Sequence, residues 1–368
     1  MRILILCIAL FYSSQAAAGG WGLWEAYVAK FVQQDGRTID YAADDKTTSE
    51  GQSYTLFFAL VADDRATFEK VLNWTQNNLA RGDMSATLPA WSWGKRKDKW
   101  AVIDANSASD ADLWLAYTLL EAGRLWGDER YGALGRLLLA RIEREEVDEL
   151  PGLGPMLIPG PKGFHPDQKT WRLNPSYMPF MILRRFENAD PEGKWKRIAR
   201  NAYRMIRDSS PHHYVPDWVA YRAGRGFFTD PVKGDIGGYD AIRVYLWAGM
   251  LSKNDKYRNA LLNTLSAMRN DVKKNLVPPD VVHARSGKAE GSGPIGYTAA
   301  LLPYLQAMGE EKLLRIQEER MKANRVDALI GANPRYYDQV LSMFGEGWTE
   351  GRFSFDESGR CVPAWKKQ

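Results

Sequence analysis

The chain has 368 residues, with 49 basic and 45 acidic side chains and a formal charge of +4. The two signs are interspersed, which excludes the concentrated basic footprint of a nucleic-acid binder. Aromatic residues are abundant, with 14 Trp, 17 Tyr and 13 Phe, more than an ordinary helical core of this length needs.

Residues 1–18 form a charged start, an apolar run from Ile3 to about Tyr12, and the small-residue ending Ala16-Ala17-Ala18. This is the pattern of a cleavable signal peptide, and the run is about half the length a membrane span requires. The expected mature chain, 19–368, is therefore exported, periplasmic or secreted, with no membrane span. Removal of Arg2 lowers the formal charge to +3, and removal of Cys7 leaves Cys361 as the single cysteine, so no internal disulfide is expected. The histidines, His165, His212, His213 and His283, lack metal-ligand spacing. Neither a metal nor a cofactor is expected.

An amphipathic start, "WGLWEAYVAKFV", follows near Trp21. From Glu50, "GQSYTLFFALVA" is apolar on every side; a turn "DDRA" leads to "TFEKVLNWTQNNLA", whose Phe68, Val71, Leu72, Thr75 and Leu79 fall on one face. This predicts a buried helix covered by an outer one. The stretch "LPAWSWGKRKDKW", Leu88 to Trp100, reads as a solvated loop whose rings line a cleft. The helix pair returns at Asp110, near Ser176, at Asp240 and near Gly296, with "YYDQVLSMFGEGW" near Tyr336 closing the chain.

The starting points 50, 110, 176, 240 and 296 are 60, 66, 64 and 56 residues apart. With the incomplete partners at both ends, this repeat gives about six inner and outer pairs, and predicts an all-α (α/α)6 barrel. Open solenoids of helix pairs use shorter repeats, roughly 33 to 47 residues. In a closed ring the inner helices run the same way, so Glu50, Asp110 and Asp240 meet at one mouth. Each acid singly could be a helix cap; three at matching places, with Tyr239 and Arg243 flanking the last, point to a site.

Carboxylates, tryptophan-bearing loops and the absence of a nucleophile elbow or phosphate-binding loop suit a sugar polymer. Rings stack on pyranose faces, and a pair of acids cleaves glycosidic bonds. The stretches "TTSEGQSY", "LPAWSWG", "DANSASDADLW", "PGLGPMLIPG", "WRLNPSYMP", "YDAIRVYLW" and "GPIGYTAALLP" resemble glycoside hydrolase family 8, and within it the endoglucanases that accompany bacterial cellulose synthase. The likeness runs from about Trp21 to the C-terminus.

The resemblance implies an inverting endo-β-1,4-glucanase acting on cellulose-type glucan, with a cellulose synthase complex as partner. It implies Glu50 as general acid, Asp240 as the base that activates water, and Asp110 as the carboxylate that binds and distorts the sugar at the scissile position. Trp91 or Trp93, Asn106 and Tyr177 would line the groove, Tyr239 would stand beside the site, and Arg243 would hold the base ionised. Chitosan and xylan are substrate alternatives on the same barrel, and a non-catalytic glucan-binding scaffold is the alternative of another kind. No exposed coiled-coil seam is visible, so the expectation is a monomer.

Overall fold

The computed structural model describes residues 20–367; the expected signal peptide, 1–18, lies outside the described residues. Thirteen α-helices occur among the described residues: α1 (Gly22–Phe31), α2 (Ser49–Val61), α3 (Arg65–Leu79), α4 (Ser109–Trp126), α5 (Glu129–Glu145), α6 (Phe180–Ala189), α7 (Trp195–Ser209), α8 (Ile242–Gly249), α9 (Arg258–Thr264), α10 (Ser266–Asn275), α11 (Ile295–Ala307), α12 (Glu311–Ala323) and α13 (Tyr336–Thr349). Helices α2, α4, α6, α8, α11 and α13 are inner. Their outer partners are α3, α5, α7, α9 with α10, α12 and finally α1, which packs on α13. The sixth pair thus joins the two ends of the chain, and the expected (α/α)6 barrel is borne out. None of the described helices is long and apolar enough to cross a membrane.

The sequence makes inner and outer helices differently. All residues of α2 from Gly51 to Val61 are buried, so apolar side chains on every side find partners. In α5 only Tyr131, Gly132, Gly135, Leu138, Leu139 and Ile142 are buried, a single stripe with charge on the remainder. Turns are set locally: Gly127 ends α4 in the left-handed region, with φ 68°, and Asp128 caps α5 by accepting from Arg130 N–H. At Gly345 on α13, a Cβ would stand 1.9 Å from the carbonyl oxygen of Ala299 on α11, so these inner helices approach as closely as they do only because a side chain is missing.

The barrel axis is filled. Phe57 of α2 meets Trp114 of α4 at 4.8 Å between ring centres, Trp114 meets Trp247 of α8 at 5.5 Å, and Trp247 meets Phe344 of α13 at 5.2 Å. These rings form an apolar floor, and Tyr54 packs edge-on over both Trp114 and Phe344. At the end away from the inner N-termini, a C-terminal hairpin of Phe353–Phe355 and Cys361–Pro363 plugs the ring. Glu121 of α4, fully buried, ion-pairs with Arg124 and Arg185 and accepts from Cys361 N–H. Replacing Glu121 by Ala strands two guanidinium groups at the plug, and urea unfolding should show a loss of about 3 kcal/mol.

The loops at the mouth are more ordered than the sequence analysis foresaw. Three three-stranded sheets and shorter hairpins occupy them: β1 (Thr47–Thr48) pairs with β2 (Ser92–Arg96) and β2 with β3 (Lys99–Asp104); β4 (Val147–Leu150) pairs with β5 (Gly154–Leu157); β6 (Thr170–Leu173) pairs with β7 (Val219–Arg222) and β7 with β8 (Gly226–Thr229); β9 (Ile236–Gly237) pairs with β10 (Val281–His283) and β10 with β11 (Lys288–Glu290). Glycine, proline and aromatic residues hid the short alternations that make these strands.

Candidate active site

Glu50, Asp110 and Asp240 each stand at or just before the start of an inner helix, and the fold brings them together as expected. None of them does the capping that would explain it away. The cap of α2 is Thr48, whose Oγ1 accepts from Gly51 N–H at 3.0 Å. The turn that opens α8 is held from outside by Asp217, one carboxylate oxygen of which accepts the N–H groups of Gly238, Asp240 and Ala241 at 2.9, 3.0 and 2.6 Å. Asp110 accepts from its neighbour Ala111 N–H with one oxygen and leaves the other for the site.

What joins the three acids is Arg243, the second residue of α8, about one turn on from Asp240 and almost wholly buried. Its Nη1 donates to Glu50 Oε2 at 2.6 Å, to Asp110 Oδ2 at 3.1 Å and to the Tyr54 hydroxyl at 3.1 Å, while Nη2 donates to Asp240 Oδ1 at 2.8 Å. The sequence reading gave Arg243 to the base alone; the structure makes it a hub with three carboxylates. Glu50 and Asp240 sit on different nitrogens of one guanidinium, with no hydrogen bond between them. Their side chains are 21% and 28% exposed, against 4% for Asp110, so the outer two acids reach solvent and Asp110 lies deepest.

The charge balance explains the protonation states. One cation serves three carboxylates above an apolar floor. Desolvation pushes Glu50 up to about 7, opposed by Arg243 and reinforced by the negative charges of Asp110 and Asp240. Burial also raises Asp110, again against the pull of Arg243. Asp240 has a different environment: besides Arg243, its second oxygen accepts from Asn174 Nδ2 at 3.1 Å and from Trp218 Nε1 at 3.2 Å. Three donors on its two oxygens fix this carboxylate in place. Trp218 is held in turn between Phe164, stacked at 5.7 Å and 9°, and the guanidinium of Arg172.

Asn174, Asp217 and Trp218 escaped the sequence analysis, although Asn174 lies inside the quoted "WRLNPSYMP". An indole next to an acid in "VPDWVAYR" was the available signal. Tyr177 is near the hub, with Arg243 5.8 Å from its ring centre. Tyr239 is 57% exposed and stacks on Tyr337 at 4.3 Å. Asn106 does not project freely into the groove: both ends of its carboxamide bond the backbone of Lys162, so it staples two mouth loops together.

The two tryptophans left open by the sequence have different surroundings. Trp93 stacks on Trp100 at 5.0 Å, meets Trp74 edge-on and has Arg37 4.5 Å over its face. Trp91 is 44% exposed and lines a cleft of about 390 Å³ with Asp40, Lys46, Thr48, Ile103 and Asp104. Its backbone carbonyl accepts from Ser49 N–H at 2.9 Å, which ties this ring to the residue beside Glu50.

Comparison with known proteins agrees with this architecture. The model of the glycosyl hydrolases of family 8 matches residues 2–351. An endoglucanase of Xanthomonas axonopodis pv. citri is 47% identical over 356 residues, 96% of this chain and 92% of its own length. An endoglucanase of Escherichia coli K12 is 43% identical over 368 residues, covering 100% of this chain and 96% of that protein. The crystal structure of an endo-1,4-D-glucanase from Vibrio fischeri superposes with a TM-score of 0.86 at 40% identity, covering 94% of this chain and 99% of that one. A closed ring of six helix pairs, acids gathered on one arginine at its mouth, and these likenesses establish that the chain belongs to glycosyl hydrolase family 8.

Proposed function

We propose that the protein is an inverting endo-β-1,4-glucanase that cuts cellulose-type chains lying across the mouth of the barrel. The observation that supports the reading is the shared guanidinium: one nitrogen holds Glu50, whose carboxyl is raised to about 7, and the other holds Asp240, which accepts two further bonds. Hydrolysis with inversion needs that pairing, with about 6.5 to 9.5 Å between carboxyls to admit a water. Glu50 gives its proton to the glycosidic oxygen. Asp240 takes a proton from the water that attacks the anomeric carbon from the opposite side, and Asp110, deep in the site, accepts a hydroxyl of the sugar being cleaved. Tyr177 and Tyr239 border that sugar.

Trp91 supplies the stacking face further along the groove. Truncation to Ala should raise KM for a cellooligosaccharide about tenfold with kcat little changed, the scale of one lost ring contact. Trp93→Ala should lower the unfolding midpoint while KM stays close to wild type, because that ring packs on protein. Steady-state kinetics beside thermal unfolding separates the two.

The signal-like segment 1–18 supports export, and the proposed mature chain is one (α/α)6 domain, 19–368, acting as a monomer in the periplasm or outside the cell. The likeness to endoglucanases that accompany cellulose synthases supports a role beside such a complex, on nascent glucan. Reducing-end release from carboxymethylcellulose, xylan and chitosan tests the substrate. Release from carboxymethylcellulose above the other two is expected. Preference for xylan or chitosan would replace the substrate, and no release from any would make the protein a glucan-binding scaffold.

A further inference from the structure

On the side of α4 turned away from Arg243 lies a second pair of acids that the proposed reaction does not use. Asp112 follows Asp110 by two residues, about 200° round the helix, and Glu146 closes α5. Both are wholly buried. Their carboxyls are close neighbours, and Ser107 Oγ donates to Glu146 Oε1 at 2.5 Å. Among the described residues, neither oxygen of Asp112 nor Oε2 of Glu146 has a hydrogen-bond donor.

The charged groups facing the pair are acids as well, Asp110 and Glu145. Asp110 is bound to Arg243, and Glu145 to Arg141 and Arg144. Among the described residues, no cation is left to neutralise the pair. Two ionised carboxylates are acceptors only and cannot bond one another; leaving both charged in a dry interior carries a large desolvation cost. A proton between them makes one a donor and removes a charge.

The surrounding bonds show what such a pair would hold. Ser107 and Asn106 precede α4, and Asn106 is stapled to Lys162. Ser109 N–H donates to Pro159 O at 3.1 Å, and Ile158 N–H to Glu146 O at 2.8 Å. The first turn of α4, the end of α5 and the chain after β5 thus form one knot, with the acid pair inside it and Asp110 on its outer side.

We propose that Asp112 and Glu146 share a proton at neutral pH and act as a positioning clamp, fixing the first turn of α4 and so the placement of Asp110. Burial supports this by raising Asp112 well above the usual carboxylate range and Glu146 to about 8. The positioning half of the proposal rests on the reading of Asp110 as the sugar-binding acid, whereas the shared proton does not.

The two halves are therefore read separately. Urea unfolding of the full chain from pH 5 to 9 compares wild type with Asp112→Asn and Glu146→Gln. In the unfolded chain these acids titrate near 3.9 and 4.3, while the folded pair keeps its proton to about pH 8. Folding then binds an extra proton between those limits, and its equilibrium constant falls about tenfold per pH unit as pH rises. The carboxamide variants have no such proton, so each curve should be flatter than wild type by about that slope between pH 5 and 8. Contributions from Glu50 and Asp110 are common to both and cancel. Parallel curves for both variants would overturn the shared proton. For positioning, Asp112→Ala should lower kcat at pH 6 at least tenfold with KM within about threefold, and Asp112→Asn, which keeps a hydrogen bond, should recover most of it. An unchanged kcat in Asp112→Ala, or no recovery in Asp112→Asn, would overturn the clamp.

Discussion

Glu50→Gln is expected to lose at least about a thousandfold in kcat on β-1,4-glucan while unfolding at a midpoint no lower than wild type. The carboxamide fills the same space and still accepts from Arg243, but it has no proton to give to the leaving oxygen; general acids contribute about 10² to 10⁴ to such steps. The stability half follows from linkage. Glu50 is raised to about 7 in the folded protein, against about 4.3 unfolded, so its contribution is fully present below pH 4 and is lost as pH rises through 7. At pH 8 the wild type has given up that stability and the variant has not, so Glu50→Gln should be more stable there by up to about 4 kcal/mol. The same titration sets the alkaline limb of the wild-type pH–rate profile near 7. A variant that cleaves at wild-type rate would remove Glu50 from the mechanism.

Arg243→Met should be as damaging to the fold as Glu50→Gln is to the chemistry. The guanidinium is the only cation bonded to Glu50, Asp110 and Asp240 among the described residues, and a thioether of similar length leaves three acids over an aromatic floor. Breaking a buried pair costs about 3 to 5 kcal/mol. That figure applies at pH 8, above the Glu50 value of about 7; at pH 5 Glu50 carries a proton and one charge fewer is stranded, so the loss should be smaller. Urea unfolding at the two values gives the difference directly, and an equal loss at both would mean that the acids do not depend on this arginine. Activity should fall at either pH, since the base loses a donor and the acid its anchor.

The parts of this molecule that could be read from sequence are those made by near neighbours. A helix apolar on every side, such as Gly51 to Val61, has to be inner, and a helix with one stripe, such as α5, has to be outer; five repeats of that pair fix the ring. The sixth pair was foreseen because "WGLWEAYVAKFV" and "YYDQVLSMFGEGW" each lacked a partner. The three acids were found because helix starts recur at the same place in each repeat.

The rest depends on contacts between loops far apart in the chain. Asn174 and Asp240 are 66 residues apart, and Trp218 and Asp240 22; no local pattern announces that both donors reach one oxygen. Asp217 resembles an ordinary loop acid until three N–H groups are seen around it. Alternation carried from Trp91 into β2 would place Trp91 and Trp93 on one face, but Trp91 precedes the strand and the register shifts between Ser92 and Trp93, so one ring lies at the cleft and the other against Arg37. The hub role of Arg243 was half visible: its spacing from Asp240 is helical, while its bonds to Glu50 and Asp110 cross 193 and 133 residues.

The roles proposed for Glu50 and Asp240 are tested most directly by the anomeric form of the first product. Proton NMR of a cellooligosaccharide digest, recorded before mutarotation, should show the new reducing end as the α-anomer. A β-anomer as first product would mean that an acid attacks the sugar itself, and would contradict the roles given to both residues.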